Sequence, residues 1–263
     1  MRIKGDFGVQ TFTVRHAQKK NIREAYLPLI ALGIRRFEVA RIDFNEENAR
    51  TLRSLVEEFG IEIVSLQVKP KYVFGAPEKI ISFCKAVGCP NVVISMLPFA
   101  CILGKEDRFY RFVRSLDGWC ERYAERGITL AYHHHNWEYV RLSDGETRME
   151  VLLSETKRLK FVHDTYWTAK CGIDPQRQIE KFGDRLLGIH LRDLAFDKRG
   201  LDVASHDAAI GDGVIDFASV LSAADATACE YLVIEQKTKE PYRDIEKSLR
   251  SLEAISSAEK NKE

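Results

Sequence analysis

Eight short apolar runs recur along the chain, and amphipathic segments separate most of them. The repeat of about 30 residues is the length of one strand-plus-helix unit. The runs are rich in valine, isoleucine, leucine and phenylalanine and alternate little with polar residues, which is typical of parallel strands covered by helices. The predicted strands are GVQTF, RRFEV, IEIVSLQV, NVVIS, ITLAYH, KFVHD, LLGIHL and YLVIEQ.

The segments between these runs carry helix signals. Residues 22–32 and 48–59 repeat apolar residues at helical spacing. Asn45 and the pair Asp174-Pro175 are typical of helix starts, where a capping side chain or a proline is favoured. Four glycines each lie between a predicted helix and the next strand, where a left-handed helix end favours glycine: Gly33, Gly60, Gly88 and Gly127.

This regular alternation predicts the α/β class and a single (β/α)8 TIM barrel over residues 1–263. A doubly wound open sheet is the rival architecture, but eight regular units favour closure of the sheet. The polar end of the chain, SSAEKNKE, predicts a frayed tail at about residues 256–263.

Composition narrows the function further. The chain has 263 residues, a net charge of +1 and 45% hydrophobic residues, as an ordinary globular protein does. Without a basic stripe, nucleic acid is not an expected partner. No apolar run approaches the ~20 residues of a membrane span, and MRIKGDFGVQ has no apolar signal core, so a cytoplasmic protein is expected, with a removed leader left open. Six cysteines without metal-type spacing predict reduced, structural thiols.

Ligand-type side chains stand at the ends of seven apolar runs. In a barrel the C-terminal ends of all strands meet at one rim, which carries the active site. These side chains should therefore be neighbours: Gln10, Glu38, Lys69, the segment His133-His134-His135-Asn136-Trp137-Glu138, Asp164, His190 and Glu235.

Within the fifth run, residues two apart share a face. His133 and His135 should point into the barrel mouth together, with Glu138 just past the strand end, whereas His134 on the opposite face is expected to pack or to face solvent. Solvated loop histidines are the ordinary alternative for this segment.

Three further side chains favour a metal site. Taken alone, Asp164 also fits a loop cap, and His190 fits a hydrogen-bonded core histidine. Glu235 follows four apolar strand residues, and a carboxylate there is costly to bury without a partner. Carboxylates with imidazole form a hard, mixed oxygen and nitrogen site that suits Mn²⁺, Mg²⁺, Co²⁺ or Zn²⁺.

The segment GDGVIDF at 211–217 has two glycines around an acid, but it lacks the spacing of a phosphate-binding loop. Nucleotide binding is therefore not predicted there. A turn that begins the next helix, with Asp216 near the helix N-terminus, is the better interpretation.

Several motifs, in order along nearly the whole chain, resemble those of one family. GVQTFTVR resembles G-V-Q-L-Y-T-V-R, YHHHNWEY resembles Y-H-N-H-x-x-E-F, and DTYW resembles D-x-Y-W. HLRD resembles H-L-K-D, GDGVIDF resembles G-x-G-x-I-D-F, and VIEQ resembles V-E-Q. The family is that of the xylose isomerase-like barrels, the sugar phosphate isomerase/epimerase group, which also includes dehydratases and lyases.

The resemblance implies a divalent metal, with Mn²⁺ favoured, held by Glu138, Asp164, His190 and Glu235. In some relatives the fifth-strand ligand falls at the position of His133, so His133 is the alternative to Glu138. The implied catalytic residues are Glu235, His135 and Glu138, and the implied substrate-binding residues are Gln10, Glu38, Lys69, His133, Trp167 and Arg192. Two positions depart from the family: His134 replaces an asparagine, and Arg192 replaces a lysine. Because arginine stays charged, proton transfer by Arg192 is not expected, and an orienting charge remains.

The implied reaction is isomerisation or epimerisation of a sugar or cyclic polyol, by proton abstraction next to a carbonyl through an enediolate. The same intermediate also leads to dehydration or glycosidic elimination, so a dehydratase or lyase of a keto-inositol or a 3-keto-glycoside is the alternative. A sugar-binding barrel without catalysis is the non-enzymatic alternative. The endonuclease branch of the superfamily needs a basic groove, which the net charge of +1 argues against. The wide apolar face of residues 106–126 also leaves a homo-oligomer open.

Overall fold

Eight parallel strands close into a barrel in the order β1-β10-β7-β6-β5-β4-β3-β2. The structure is a computed structural model and describes residues 6–199 and 202–260. Strand β1 pairs with β10 on one side and with β2 on the other, so the sheet has no edge and the open-sheet alternative is excluded. The barrel strands are β1 (Phe7–Gln10), β2 (Arg36–Ala40), β3 (Glu62–Val68), β4 (Asn91–Ile94), β5 (Thr129–His133), β6 (Lys160–Asp164), β7 (Leu186–Leu191) and β10 (Tyr231–Ile234). The predicted single (β/α)8 barrel is confirmed.

A two-stranded antiparallel hairpin follows β7 and lies outside the barrel sheet. It consists of β8 (Asp193–Arg199) and β9 (Asp202–Ala208), and Asp193 pairs in register with Ala208. None of the apolar runs predicted it, because its strands mix charged and small residues instead of repeating the pattern of the barrel strands.

The helices form the outer layer of the barrel. They are α1 (Arg15–Gln18), α2 (Ile22–Ala31), α3 (Glu46–Phe59), α4 (Pro70–Gly75), α5 (Pro77–Val87), α6 (Phe99–Ile102), α7 (Glu106–Ala124), α8 (Arg148–Glu155), α9 (Thr165–Lys170), α10 (Pro175–Phe182), α11 (Phe217–Asp225) and α12 (Pro241–Lys260). Two short 3₁₀ turns, Trp137–Tyr139 and Gly183–Arg185, complete the connections.

The predicted helix ends are present in the structure. Asn45 caps α3 by accepting a hydrogen bond from the Asn48 amide, and Asp174 caps α10 in the same way. Asp216 caps α11, as the interpretation of the GDGVIDF segment required. The four glycines expected after helices all have positive φ, from 63° at Gly60 to 89° at Gly33.

Side chains fill the lower part of the barrel interior and leave its C-terminal end for polar groups. Strands β3 to β7 and β10 supply this inner apolar layer, which consists of Val64, Val93, Ala131, Val162, Leu187, Tyr231 and Val233. A larger apolar layer between strands and helices surrounds it. The barrel is therefore a packed core, and the polar cluster lies at the C-terminal ends of the strands.

The C-terminal helix is longer than the sequence suggested. Helix α12 continues to Lys260, and Ser256 is buried, so the expected fraying at 256 does not begin there, and residues 261–263 lie outside the described part of the chain. All six cysteines are free thiols, as expected. Within the described residues, no helix is both long and apolar enough to span a membrane.

Candidate metal centre

Four strand ends bring together two imidazoles and two carboxylates. His133 ends β5, Asp164 ends β6, His190 lies in β7, and Glu235 directly follows β10. One ligand atom from each of these four side chains lies within 4.8 Å of all the others, and all four residues are buried. We call these four residues the ligand cluster.

Three atoms of the ligand cluster have no hydrogen-bond partner among the described residues. They are Nε2 of His133, Nδ1 of His190 and Oε2 of Glu235. His190 Nδ1 and Glu235 Oε2 are only 2.8 Å apart, but their geometry does not make a hydrogen bond. A buried polar atom without a partner costs about 1–3 kcal/mol. A divalent cation between these atoms would satisfy all of them at once, so the residues present fit such an ion.

Glu38 fixes the orientation of His190 from below. Its Oε1 accepts a hydrogen bond of 2.6 Å from His190 Nε2, and its Oε2 accepts from Ser65 Oγ at 2.5 Å and from the Tyr231 hydroxyl at 2.9 Å. With Nε2 donating to a carboxylate, Nδ1 of His190 faces the ligand cluster, the arrangement found around metal-bound histidines. Glu38, which the sequence predicts to bind substrate, is fully buried and accepts hydrogen bonds from three partners.

The charges of the cluster are strongly coupled. Burial opposes a charge on His190, but the carboxylates of Glu38 and Glu235 outweigh it and raise the pKa of the imidazole to about 10. Burial would also raise the pKa of Asp164, yet the Arg192 guanidinium and His133 hold it well below its usual range. The pKa of Glu235 is lowered against burial by His190 and Arg192. Both ligand carboxylates are therefore ionised and ready to bind a cation.

Arg192 lies beside the ligand cluster and is fixed by the β8–β9 hairpin. Its Nη1 is 3.5 Å from an oxygen of Asp164 and 3.5 Å from an oxygen of Glu235. Its Nε and Nη2 donate to both oxygens of Asp207 on β9, the second bond at 3.0 Å. The guanidinium also covers the rings of Tyr166 and Trp167, at 4.5 and 5.2 Å from their centroids. A permanent positive charge is thus held in one place next to the cluster.

The structure places Glu138 outside the ligand cluster. Its carboxylate accepts hydrogen bonds from the Tyr132 hydroxyl and, at 2.7 Å, from the His135 amide, and burial raises its pKa. It does not line the cavity above the cluster. His133, the alternative that the sequence left open, supplies the fifth-strand ligand atom instead. Glu138 therefore supports the turn at His135, whereas His133 is the fifth-strand member of the ligand cluster.

His135 and His134 differ in environment as their alternation in the strand predicted. His135 lines the cavity, and its Nδ1 has no hydrogen-bond partner among the described residues. Burial and His133 keep the pKa of His135 well below its usual value, so its imidazole is neutral. His134 is fully buried on the other side, where its Nε2 meets His163 Nδ1 at 3.0 Å and accepts from the Asp164 amide at 3.1 Å.

A cavity of about 1390 Å³ opens above the ligand cluster. Six of the residues predicted to bind substrate or to act in catalysis line it: Lys69, His133, His135, Trp167, Arg192 and Glu235. Gln10 does not line the cavity. Its Nε2 donates to Gln67 Oε1 at 3.0 Å, and its Oε1 accepts from the Phe12 amide at 2.5 Å. Contact of Gln10 with substrate stays a prediction.

Sequence reasoning missed several supporting residues. Ser65 and Tyr231 hold Glu38, and Asp207 holds Arg192. The only signal for Ser65 is its position as a polar residue inside an apolar strand, and Tyr231 begins its strand as an ordinary aromatic residue would. Asp207 gave no signal, because the hairpin that carries it has no apolar pattern.

Solved structures and curated proteins resemble this chain. A sugar phosphate isomerase/epimerase from Parabacteroides distasonis ATCC 8503 superposes with a TM-score of 0.77 at 19% identity, over 94% of this chain and 93% of that one. The rhizopine catabolism protein MocC of Rhizobium meliloti is 30% identical over 134 residues, which are 46% of this chain and 41% of that protein. An inosose dehydratase from Geobacillus thermodenitrificans (strain NG80-2) is 28% identical over 131 residues, or 45% and 43% of the two chains.

The match to either curated relative spans less than half of that relative's length. At 19% identity, the likeness to the solved structure concerns the fold. The family match is broader, since residues 29–255 match the description xylose isomerase-like TIM barrel. Because that match covers most of the 263 residues, the chain belongs to the xylose isomerase-like TIM barrel family.

Proposed function

We propose that this protein is a divalent-metal-dependent sugar isomerase or epimerase that moves a proton next to a carbonyl. The ligand cluster carries this proposal: four buried ligand atoms converge at the mouth of the barrel, and three of them have no hydrogen-bond partner among the described residues. The family of the chain agrees with it, and so does a structural neighbour named as a sugar phosphate isomerase/epimerase.

The metal ligands would be His133 Nε2, an oxygen of Asp164, His190 Nδ1 and Glu235 Oε2. This set of two nitrogens and two carboxylates suits Mn²⁺, Mg²⁺, Co²⁺ or Zn²⁺, and Mn²⁺ remains our first choice. When bound, the ion would supply Lewis-acid charge opposite the carbonyl and a neighbouring hydroxyl of the substrate.

Two side chains at the cavity floor are able to move the proton. Glu235 is ionised, and among the described residues its Oε1 accepts one long hydrogen bond, from Arg192 at 3.5 Å, which leaves that oxygen able to accept a proton from the substrate carbon. His135 is neutral and has an unpartnered ring nitrogen, so it could accept or return a proton from another direction. Two groups beyond the ends of separate strands suit removal of the proton from one direction and its return from another.

Arg192 and Trp167 would position the substrate. As the electron pair of the broken C–H bond moves onto the carbonyl oxygen, the fixed guanidinium of Arg192 favours the negative charge that develops. Trp167 lines the cavity and offers a flat apolar face of the kind on which sugar rings stack. Return of the proton to the neighbouring carbon gives isomerisation, and return to the opposite face of the same carbon gives epimerisation.

Proton exchange with solvent tests this function. The Mn²⁺-loaded protein should incorporate deuterium from heavy water into a keto sugar or keto-inositol, next to the carbonyl, as detected by NMR. Glu235→Gln should abolish the exchange while the circular dichroism spectrum stays unchanged, and Glu240→Gln, an exposed acid after the same strand, should exchange as the parent does. Exchange by the Glu235 variant at the parent rate would refute the role of Glu235. Tight sugar binding with no exchange in the parent would favour a sugar-binding barrel.

A dehydratase of a keto-inositol is the second candidate, because curated relatives carry the name inosose dehydratase. It begins with the same proton abstraction and then loses a β-hydroxyl group as water. Offered a keto-inositol, a dehydratase would accumulate an unsaturated product with ultraviolet absorbance, whereas an epimerase would return isomers of the same mass.

A further inference from the structure

The cavity above the ligand cluster has an unusual charge balance. Nine lysine and arginine side chains line it against three acids, although the whole chain holds 40 basic and 39 acidic residues. Two of those three acids, Glu235 and Asp207, are already assigned to the ligand cluster and to Arg192. The excess positive charge is thus concentrated at the mouth, where it attracts anions.

Two of these cations, Arg15 and Arg41, lie against the same aromatic ring. The guanidinium carbon of Arg15 lies 4.2 Å from the centroid of the Phe12 ring, and that of Arg41 lies 5.4 Å from it. Arg15 donates one hydrogen bond to the Phe12 carbonyl at 3.0 Å. Among the residues that the structure describes, neither guanidinium forms an ion pair with a carboxylate. Most of their donors therefore face the cavity without a protein acceptor.

The two cations also repel each other. Burial lowers the pKa of the Arg15 guanidinium, and the charge of Arg41 lowers it further. Glu235 and Asp207 attract Arg15 in part, but the pKa of its guanidinium remains lowered. A bound anion between them would convert that repulsion into two attractions.

The backbone at Arg41 is strained. Arg41 has φ of 60°, and within the described part of the chain it is the only residue other than glycine with positive φ. A side chain in this left-handed region costs about 1–2 kcal/mol, and such strain tends to persist at functional sites. Arg41 lies just past the end of β2, at the cavity mouth. An ordinary solvated surface arginine would not require this backbone conformation.

We propose that Arg15 and Arg41 bind an oxyanion group, a carboxylate or a phosphate, on the substrate of this enzyme. The statement that the ligand is a substrate rests on the proposed function, whereas binding of the anion itself does not. The planar guanidinium fork pairs with either group through two parallel hydrogen bonds. The protein should then discriminate against neutral sugars, because these leave the paired arginines without a counter-charge.

Calorimetric titration of three probes tests this inference: inorganic phosphate, glucuronate and glucose, each at low ionic strength. The parent should bind at least one of the two anions, and more tightly than glucose. Arg41→Gln should weaken that binding about ten-fold or more, the scale of a lost charge-assisted hydrogen bond. Arg53→Gln removes the same charge from an exposed site on α3 outside the cavity and should bind as the parent does. Arg15→Gln is the second variant and should show the same loss.

The outcomes separate the two possible sources of the anion. A loss confined to phosphate identifies a phosphate group, and a loss that includes glucuronate identifies a carboxylate-accepting site. Failure of the parent to bind either anion, or equal affinity in Arg41→Gln and Arg53→Gln, would overturn the inference. The metal content of the same samples, measured by mass spectrometry, tests the proposed function separately, so failure of one does not imply failure of the other.

Discussion

Glu38 holds His190 in the orientation that the proposed metal site requires. Its two oxygens accept from His190, Ser65 and Tyr231, so the carboxylate is held and cannot turn away. Partners of this kind fix the ring orientation of a ligand histidine and increase its basicity.

Replacing this carboxylate should weaken the metal site without removing a ligand. Glu38→Gln keeps the size of the side chain but loses its charge, so the affinity for Mn²⁺ should fall about ten- to hundred-fold. Competition with a calibrated chelator measures the affinity. Glu47→Gln, an exposed acid on α3, is the matched control and should not change it. An unaltered affinity in the Glu38 variant would show that His190 needs no such support.

At the residue level, the sequence predicted Asp164, His190 and Glu235 correctly as neighbours but not the fifth-strand partner. Both His133 and Glu138 lie near the end of β5, and sequence spacing alone does not separate them. What separates them is the turn after the strand, which directs the Glu138 carboxylate onto Tyr132 and the His135 amide. That turn depends on packing that no local pattern records.

The β8–β9 hairpin is the main element that the sequence did not predict. Its role is to bring Asp207 against Arg192, between the ligand cluster and solvent. Strands of the barrel could be predicted because burial on both sides makes them continuously apolar. The hairpin is partly exposed and mixes charged with small residues, so its pattern differs little from that of a loop.

Loss of the hairpin carboxylate should affect turnover more than metal binding. Asp207→Ala removes two charge-assisted hydrogen bonds from Arg192, so the guanidinium is no longer held beside the reacting atoms. We expect kcat to fall about ten- to hundred-fold, with the affinity for Mn²⁺ within about two-fold of the parent. Steady-state kinetics and chelator competition give the two values. Asp197→Ala, an exposed acid on the same hairpin, should leave both unchanged, and an equal fall in both variants would contradict the role of Asp207.

On the scale of the whole molecule, closure of the barrel turns scattered residues into one site. The eight apolar runs were enough to predict the closed sheet, because parallel strands at regular intervals leave few alternatives. The end of α12 was not predictable, since the polar residues at 256–260 continue a helix that the packing of the preceding residues supports. The substrate could not be predicted either, because it depends on the cavity mouth, whose cations come from many separate segments of the chain.

Two buried histidines behind the site should make the stability of the metal-free protein depend on pH. Burial lowers the pKa of His134 to about 3 and that of His163 well below its usual value. Both stay neutral in the folded state, whereas in the unfolded chain they gain protons near pH 6.5. Their contribution is therefore present above about pH 6.5 and is lost as the pH falls, by about 1.4 kcal/mol per pH unit for each histidine.

Urea unfolding between pH 7 and pH 5 measures this loss as the slope of the free energy of unfolding against pH. The slope is about 1.4 kcal/mol per pH unit for each histidine. His163→Phe should reduce the slope by about 1.4 kcal/mol per pH unit, because that side chain no longer takes up a proton on unfolding. His16→Phe changes an exposed histidine on α1 and should not affect the slope. A slope that is the same in parent and His163 variant would contradict the neutral, buried pair.

Metal content tests the central claim most directly. The purified protein is stripped with a chelator, dialysed against Mn²⁺ and analysed by mass spectrometry beside Asp164→Ala, His133→Ala and Glu138→Gln. The account predicts about one ion per chain in the parent and in Glu138→Gln, as for a single site of four protein ligands, and none in the other two variants. No ion in the parent, or loss of the ion in Glu138→Gln with retention in His133→Ala, would contradict it.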